Sequence, residues 1–226
     1  MKTILISGGS QGLWRALAER FVKKYNVVIL ARNPGKTEQA GQEIGCDFVV
    51  ADVGNYEQVE NAVASVIKKF KTIEYVINNA GLWIQGPLDS NDPARIKEVI
   101  DTNTTGTIFL TRAVLPYMKE VKKGKIINII SQSGLYGKAE RSVYHASKWA
   151  ITGFTKSLQM ELAGSDITVT GFYPGSMKTQ LFESAGIEKD SSRFMELPDA
   201  VRALEFIVET PDDITIPELG IKPTYY

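Results

Sequence analysis

Tyr144 and Lys148 stand four residues apart in Tyr144-His145-Ala146-Ser147-Lys148, a spacing that on a helix projects a phenol and an ammonium from one face. The pair has a chemical use. A free tyrosine, with a pKa of about 10, is a poor base at neutral pH, but a neighbouring lysine cation favours the phenolate and brings it toward the working range. Such a tyrosine can donate a proton to a carbonyl oxygen as hydride arrives, or remove one from an alcohol. The spacing alone is weak ground, because two such residues often meet on ordinary helix surfaces. Two further residues strengthen it. Ser131 closes the run Ile126-Ile127-Asn128-Ile129-Ile130-Ser131, thirteen positions before Tyr144, where a hydroxyl can hold a substrate oxygen. Asn103, within Asp101-Thr102-Asn103-Thr104-Thr105-Gly106, interrupts a helical stretch. An amide there can bend the helix or hold a water that joins Lys148 to solvent; a solvated polar face is the plain alternative.

A second group of residues suits a nucleotide. Ser7-Gly8-Gly9-Ser10-Gln11-Gly12 lies between a β-branched run and the helix former Leu13-Trp14-Arg15-Ala16-Leu17-Ala18. Small residues at such a turn let backbone amides approach a pyrophosphate at a helix N-terminus, although a tight turn with no ligand reads the same way. Arg32 follows Val27-Val28-Ile29-Leu30-Ala31, where an acidic residue would bind the ribose hydroxyl of NAD. A guanidinium there favours the 2′-phosphate of NADP, and an exposed arginine closing a strand is the alternative. Asp52 and Asn78-Asn79-Ala80-Gly81 follow two further runs, so all these polar turns fall along one edge if the runs are parallel strands.

That condition is met by the pattern of the whole chain. Short Val/Ile runs alternate with longer amphipathic stretches to about residue 175, as parallel strands joined by helical crossovers require. Strands are expected at 3–7, 26–30, 47–50, 75–78, 125–130 and 168–173, with a last one near 214–216. Helices are expected to begin near Gly12, Pro34, Tyr56, Pro93 and Ser142, the last ending near Ala163. The fold class is α/β, a doubly wound parallel sheet flanked by helices on both faces, as one domain over 1–226. Residues 177–198 mix Gly, Ser and charge with Phe182 and Phe194, and are expected to form a substrate loop over the strand ends. The remainder, from Pro198, reads as an edge strand and a tail.

Composition narrows the partners. The 226 residues are 43% hydrophobic, and 26 Lys and Arg balance 26 Asp and Glu. Nothing favours a nucleic acid or an anionic membrane surface, so a small molecule is the expected partner. The apolar run after Met1 is too short for a signal peptide and no other run could span a bilayer, which makes the cytoplasm the default location. Cys46 is the one cysteine, a small hydrophobe rather than a metal ligand, and no metal is expected. His145, turned about 100° from Tyr144 on the helix, is assigned to the surface or a subunit contact.

Taken together, these motifs resemble the short-chain dehydrogenases/reductases over residues 3 to about 180. Ser7 to Leu13 is similar to the family's T-G-x-x-x-G-x-G loop, Asp52-Val53 to its adenine-contacting pair, and Asn78-Asn79-Ala80-Gly81 to its N-N-A-G. Asn103, Ser131, Tyr144 and Lys148 match its tetrad, and Tyr173-Pro174-Gly175 with Thr179 matches its P-G-x-x-x-T. The resemblance implies a Rossmann-like fold and hydride transfer between NADP(H), rather than NAD, and a carbonyl or secondary alcohol. It implies Tyr144 as general acid/base, Ser131 on the substrate oxygen, Lys148 on the nicotinamide ribose and Asn103 in a proton relay. Cofactor contacts are implied at Gly8, Ser10, Gln11, Gly12, Leu13, Arg32, Asp52, Val53, Asn79, Ala80, Gly81, Tyr144, Lys148, Pro174, Gly175, Met177 and Thr179. It also implies a homodimer or homotetramer, through the helix after Pro93 and the one carrying Tyr144.

Two rival readings remain. Trp14 stands where the family has the loop's last glycine, and an indole there could fill part of the cofactor site, leaving a binding or regulatory module. Gly8-Gly9-Ser10-Gln11-Gly12 also fits the G-x-S-x-G elbow of a serine hydrolase, with Asp52 or Asp101 and His145 as partners. Only nine residues precede Ser10, too few to supply the second oxyanion amide of such sites.

Overall fold

Thr3-Ile4-Leu5-Ile6-Ser7 carries no polar alternation, and all five residues are buried, as a strand covered on both faces requires. The computed structural model describes residues 1–8 and 12–224. Among them seven strands form one parallel sheet: β1 (Thr3–Ser7), β2 (Asn26–Ala31), β3 (Asp47–Val50), β4 (Tyr75–Asn78), β5 (Gly124–Ile129), β6 (Ile167–Pro174) and β7 (Glu218–Ile221). Their order is β3-β2-β1-β4-β5-β6-β7. The order reverses between β1 and β4, which pair from Ile4↔Tyr75 to Ser7↔Asn78, and the crevice at the carboxyl end of that pair is the ligand position of such sheets.

The helices are α1 (Leu13–Phe21), α2 (Pro34–Ile44), α3 (Tyr56–Phe70), α4 (Pro93–Ile100), α5 (Gly106–Val121), α6 (Ser142–Glu161) and α7 (Leu197–Glu209). Alternation along the strands divides the core. Leu5, Val28, Val76 and Ile126 face one side with Val59 and Val63 of α3, Leu110 and Val114 of α5 and Leu158 of α6. Ile4, Ile6, Ile29, Ile77 and Ile127 face the other, with Leu17 and Phe21 of α1 and Leu204 and Ile207 of α7. This is the doubly wound, Rossmann-like α/β architecture expected from the pattern.

Several boundaries are corrected. The last strand is Glu218–Ile221 rather than 214–216; it pairs from Gly171↔Glu218 to Pro174↔Ile221. The segment after Pro198, read as strand and tail, begins with α7, whose Ala200, Val201, Leu204, Ile207 and Val208 are buried at helical spacing. α7 ends over the start of β5, where the buried Lys125 ammonium donates to Ile207 O and Val208 O at 3.3 Å. A cation there satisfies carbonyls that a helix C-terminus leaves without partners.

Trp14 belongs to the same core. Its side chain is 2% exposed and shares the cluster of Ile4, Ile6 and Leu17. Its indole also supports the loop above it, since a Cβ on Gly8 would lie 3.3 Å from Trp14 Cδ1. Truncating a buried indole costs about 3–5 kcal/mol. Trp14→Ala is therefore expected to lower the unfolding free energy by that order in denaturant titrations. A loss within about 0.5 kcal/mol, the range of surface substitutions, would show that the indole is not a core residue.

Candidate active site

The site is assembled from strand ends, beginning with the turn after β1. Gly12 precedes α1 with φ 89° and ψ −141°, a conformation that favours glycine, and as N-cap it contributes no side-chain hydrogen bond. By contrast α2, α3 and α4 are capped by Asn33, Asn55 and Asp92. The first amides of α1, starting at buried Leu13, are thus free of a side-chain cap, which suits an anionic group. Gly8, at φ 147°, lies so close to the β4 turn that a Cβ would stand 2.5 Å from Asn79 Nδ2. Ser7 ties the two turns together. Its Oγ accepts from the amides of Asn79 (3.2 Å) and Ala80 (3.3 Å), and its carbonyl accepts from Asn79 Nδ2. Ser10 and Gln11 lie outside the described residues.

Along the same edge, Arg32 follows β2 with its side chain 54% exposed, and its Nη1 donates to Glu98 Oε1 at 2.7 Å. A 2′-phosphate here would compete with that carboxylate. Asp52 turns the chain after β3 by accepting from Gly54 N at 2.9 Å, while Val53 packs where a Cβ on Gly106 would clash. Pro174 ends β6, and Gly175 N donates to Ile221 O at 2.7 Å. Met177 and Met195 form a parallel bridge, so the 177–198 segment is anchored at its base and carries one short 3-10 turn, Glu183–Ala185. It passes over the first loop, for a Cβ on Gly12 would meet Thr179 Cβ at 3.5 Å.

The reacting centre lies where α6 crosses these ends. Asn103 sits in a π-helical turn, Asp101–Thr105, that links α4 to α5; such turns insert a residue and recur at functional sites. It is 1% exposed, accepts from Leu82 N at 2.7 Å and donates to Leu82 O at 3.0 Å and to Ser147 Oγ at 3.1 Å. Ser147 Oγ in turn donates to Tyr144 O at 2.7 Å, so the amide is pinned to the helix that carries the tyrosine. Gly81 lies against both groups. A Cβ there would stand 3.5 Å from Asn103 Oδ1 and 3.8 Å from Lys148 Nζ. Ser131 takes a backbone conformation rare for a side-chain-bearing residue, φ 125°, and its Oγ accepts from Ser133 N at 3.1 Å. The turn it opens is held on α6 by Thr152 Oγ1, which donates to Gly134 O at 3.1 Å.

Lys148 is buried, with its Nζ 5.9 Å from the Tyr144 ring centre. Burial pushes its pKa down to about 8. Among the described residues it has one hydrogen-bond acceptor, Ile129 O at 2.9 Å, which leaves ammonium protons for ribose hydroxyls. The Tyr144 ring is buried against Trp83, with ring centres 4.3 Å apart.

Some expectations fall. His145 is buried within the chain rather than at its surface, against the Tyr136 backbone, and burial lowers its pKa. Asp101 pairs with Lys97 and Asp52 with its own turn, so neither is hydrogen-bonded to His145, and Ser10, the serine of the hydrolase reading, lies outside the described residues. Gln132, next to Ser131, donates to Tyr173 O at 2.7 Å. Sequence reasoning missed Ser147, whose helical position beside Lys148 could have suggested it. It also missed the buried relay Asn128–Asn78–Thr111, in which Asn78 Nδ2 donates to Asn128 Oδ1 (2.8 Å) and Thr111 Oγ1 (2.9 Å).

Comparison with known proteins agrees with this geometry. The family model for short chain dehydrogenase matches residues 2–190. The NADP-dependent 3-hydroxy acid dehydrogenase of Salmonella typhimurium is 32% identical over 218 residues, 94% of this chain and 85% of that protein. Serine dehydrogenase in its closed form with NADP+ superposes with a TM-score of 0.93 at 27% identity, covering 99% of this chain and 96% of that one. The 3-ketoacyl-(acyl-carrier-protein) reductase of Brucella melitensis with NADH gives 0.89 at 26% identity, covering 98% and 96%.

The lowered pKa of Lys148 has a thermodynamic consequence. Below about 8 the lysine is charged in both folded and unfolded chains, and the folded state bears the full cost of burying it. Between about 8 and the unfolded value of about 10.4 the unfolded chain binds more protons, so stability rises with pH. The difference in Tm between the cofactor-free protein and Lys148→Met is expected to move in favour of the parent across that window. A constant difference would mean that Lys148 titrates as an exposed lysine.

Proposed function

This chain belongs to the short-chain dehydrogenase family, and we propose that it moves a hydride between NADP(H) and a carbonyl or secondary alcohol, with Tyr144 as the general acid/base. The observation that carries this reading is the buried Lys148 ammonium, 5.9 Å from the Tyr144 ring and with protons to spare beyond its bond to Ile129 O. A nicotinamide bound along the strand ends supplies or accepts the hydride. The chain's own residues do the rest. Lys148 holds the ribose and favours the phenolate of Tyr144, which gives its proton to the substrate oxygen during reduction and takes one during oxidation. Ser131 Oγ holds that oxygen, and Asn103, fixed between Leu82 and Ser147, steadies the path by which Lys148 exchanges protons with solvent.

NADP(H) is favoured over NAD(H) by Arg32 after β2, where the sequence Arg32-Asn33-Pro34 places a guanidinium rather than an acidic residue, and by the NADP-dependent relative. Release of Arg32 from Glu98 is part of that recognition. Trp14 supports a second reading, a binding or regulatory module without cofactor. Fluorescence titration with NADPH and NADH separates the two. Saturable binding, tighter for NADPH, is expected, and none at millimolar cofactor would establish the module. In turnover of carbonyl and alcohol panels, Tyr144→Phe is expected to lower kcat/KM by about 10²–10⁴-fold, and unchanged turnover would overturn the mechanism.

We also propose a cytoplasmic homodimer or homotetramer acting on a small molecule. Trp149 and Met160 on α6 and Val121 at the end of α5 are exposed, an apolar face that a second copy would cover. Among the described residues no helix is long and apolar enough to cross a membrane. Light scattering at micromolar protein is expected to show the oligomer, and a monomer alone would refute it.

A further inference from the structure

Beside the Tyr144 ring, Trp83 gathers positive charge. Lys189, from the 177–198 segment, places its Nζ 4.3 Å from the Trp83 ring centre and 3.9 Å from that of Phe182. Arg141, just before α6, sets its guanidinium 5.2 Å from the same indole. Lys138 is close enough to act on both Lys189 and His145. Aromatic faces attract cations, but each contact is worth only about 0.5–2 kcal/mol, and like charges crowded together repel. None of Lys138, Arg141 and Lys189 has a carboxylate within ion-pair distance among the described residues. Arg20 and Lys24, by contrast, share Glu205. Burial and the two neighbouring cations hold the Lys189 pKa down to about 8.

Lys189 also lines a cavity of about 470 Å³ with Phe182, Ile187 and Phe194. Glu183 and Glu188 border it, both exposed and without an ion pair to Lys189. The cavity shares Phe182 with the cluster that includes Trp83 and Tyr144. Trp83 thus touches the Tyr144 ring on one side, with ring centres 4.3 Å apart, and the cations of Lys189 and Arg141 on the other.

From this arrangement we infer that the substrate is an organic anion, whose carboxylate or phosphate is held by Lys189 and Arg141 at about the width of an indole from its reacting carbon. The inference rests on the oxidoreductase reading and adds the substrate class. An anion here gains charge-assisted hydrogen bonds in a partly dry pocket and relieves the repulsion among the cations, whereas the matching ester does neither. Lys189 and Arg141 are specificity-determining groups, not proton carriers.

Matched pairs test it: 3-hydroxybutyrate against its methyl ester, and dihydroxyacetone phosphate against dihydroxyacetone, each with the matching form of the cofactor. For at least one pair kcat/KM is expected to favour the anion tenfold or more. Lys189→Gln and Arg141→Gln each shrink that ratio at least tenfold, and Lys189→Arg restores most of it. The pair with the larger lysine-dependent ratio identifies the carboxylate or phosphate. Ratios near one in the parent protein, or unchanged in both glutamine variants, overturn the inference. If no pair is turned over, the oxidoreductase reading is what fails, and tryptophan fluorescence still reads the site. Saturable quenching by either anion but not its neutral partner, lost in Lys189→Gln, supports the anion site. No saturable quenching by either anion overturns it.

Discussion

The arrangement turns on one buried charge. Lys148 carries its ammonium into the protein with a single backbone acceptor, Ile129 O, among the described residues, and removing an ammonium from water costs several kcal/mol. A fold tolerates this only if the surroundings are rigid and polar at the right point. That condition explains the neighbourhood. The carbonyl comes from the carboxyl end of β5, where the ladder of a parallel strand runs out and a backbone acceptor becomes available. Asn103 comes from a π turn, whose inserted residue lets an amide point away from the regular hydrogen bonding of the α4–α5 helical run. Ser147, one residue before Lys148, ties the amide to α6. Ammonium, amide and phenol are therefore placed by backbone features of three different segments, and none is held by a flexible side chain alone.

The parallel sheet makes that convergence possible. With every strand pointing the same way, the turns after β1, β2, β3, β4, β5 and β6 fall on one edge, and groups more than one hundred residues apart in the chain become neighbours. Ser7 shows how tightly two of those turns are coupled, since one hydroxyl accepts from successive amides of the β4 turn. Buried Asn78 and Asn128 perform the same service one layer deeper, where an unpaired amide would be costly and a paired one fixes register.

This also explains which parts were legible in the sequence. Strands such as Thr3–Ser7 and Tyr75–Asn78 are short apolar runs bounded by turn residues, and each was readable because its signature is local. Tyr144, Lys148, Ser131 and Asn103 were singled out by the order of the motifs and the family resemblance, since the Tyr144–Lys148 spacing alone is weak ground. The helix Leu197–Glu209 was missed although Val201, Leu204 and Val208 mark its buried face, because the preceding loop drew the reading toward irregular structure. The last strand was misplaced for a different reason. Glu218–Ile221 is an edge strand with alternating exposure, and its four residues hold less β-branched character than Ile214-Thr215-Ile216, so pairing with β6 rather than propensity decides its position. His145 was assigned outward by helix geometry alone, which cannot see the turn after β5 folding back over that face.

Lys189 and Arg141 were beyond sequence reasoning because their meeting depends on two loops. One follows β6 and is anchored by the Met177–Met195 bridge; the other leads into α6 and is held by the bond from Gly86 N to Glu140 O at 2.8 Å. Neither loop has a periodicity that reveals where its tip lies. Their closure around Trp83 gives the pocket two electrostatic regions with different tasks. Near Lys148 a single buried cation stands beside Tyr144 in dry surroundings, where on the proposed mechanism it would act on the phenol proton. Beyond the indole several partly solvated cations act on a whole charge, where screening limits each contribution and number makes up for strength. Under the function and substrate class proposed above, binding of a charged group and tuning of Tyr144 fall to different cations, and each can change without the other.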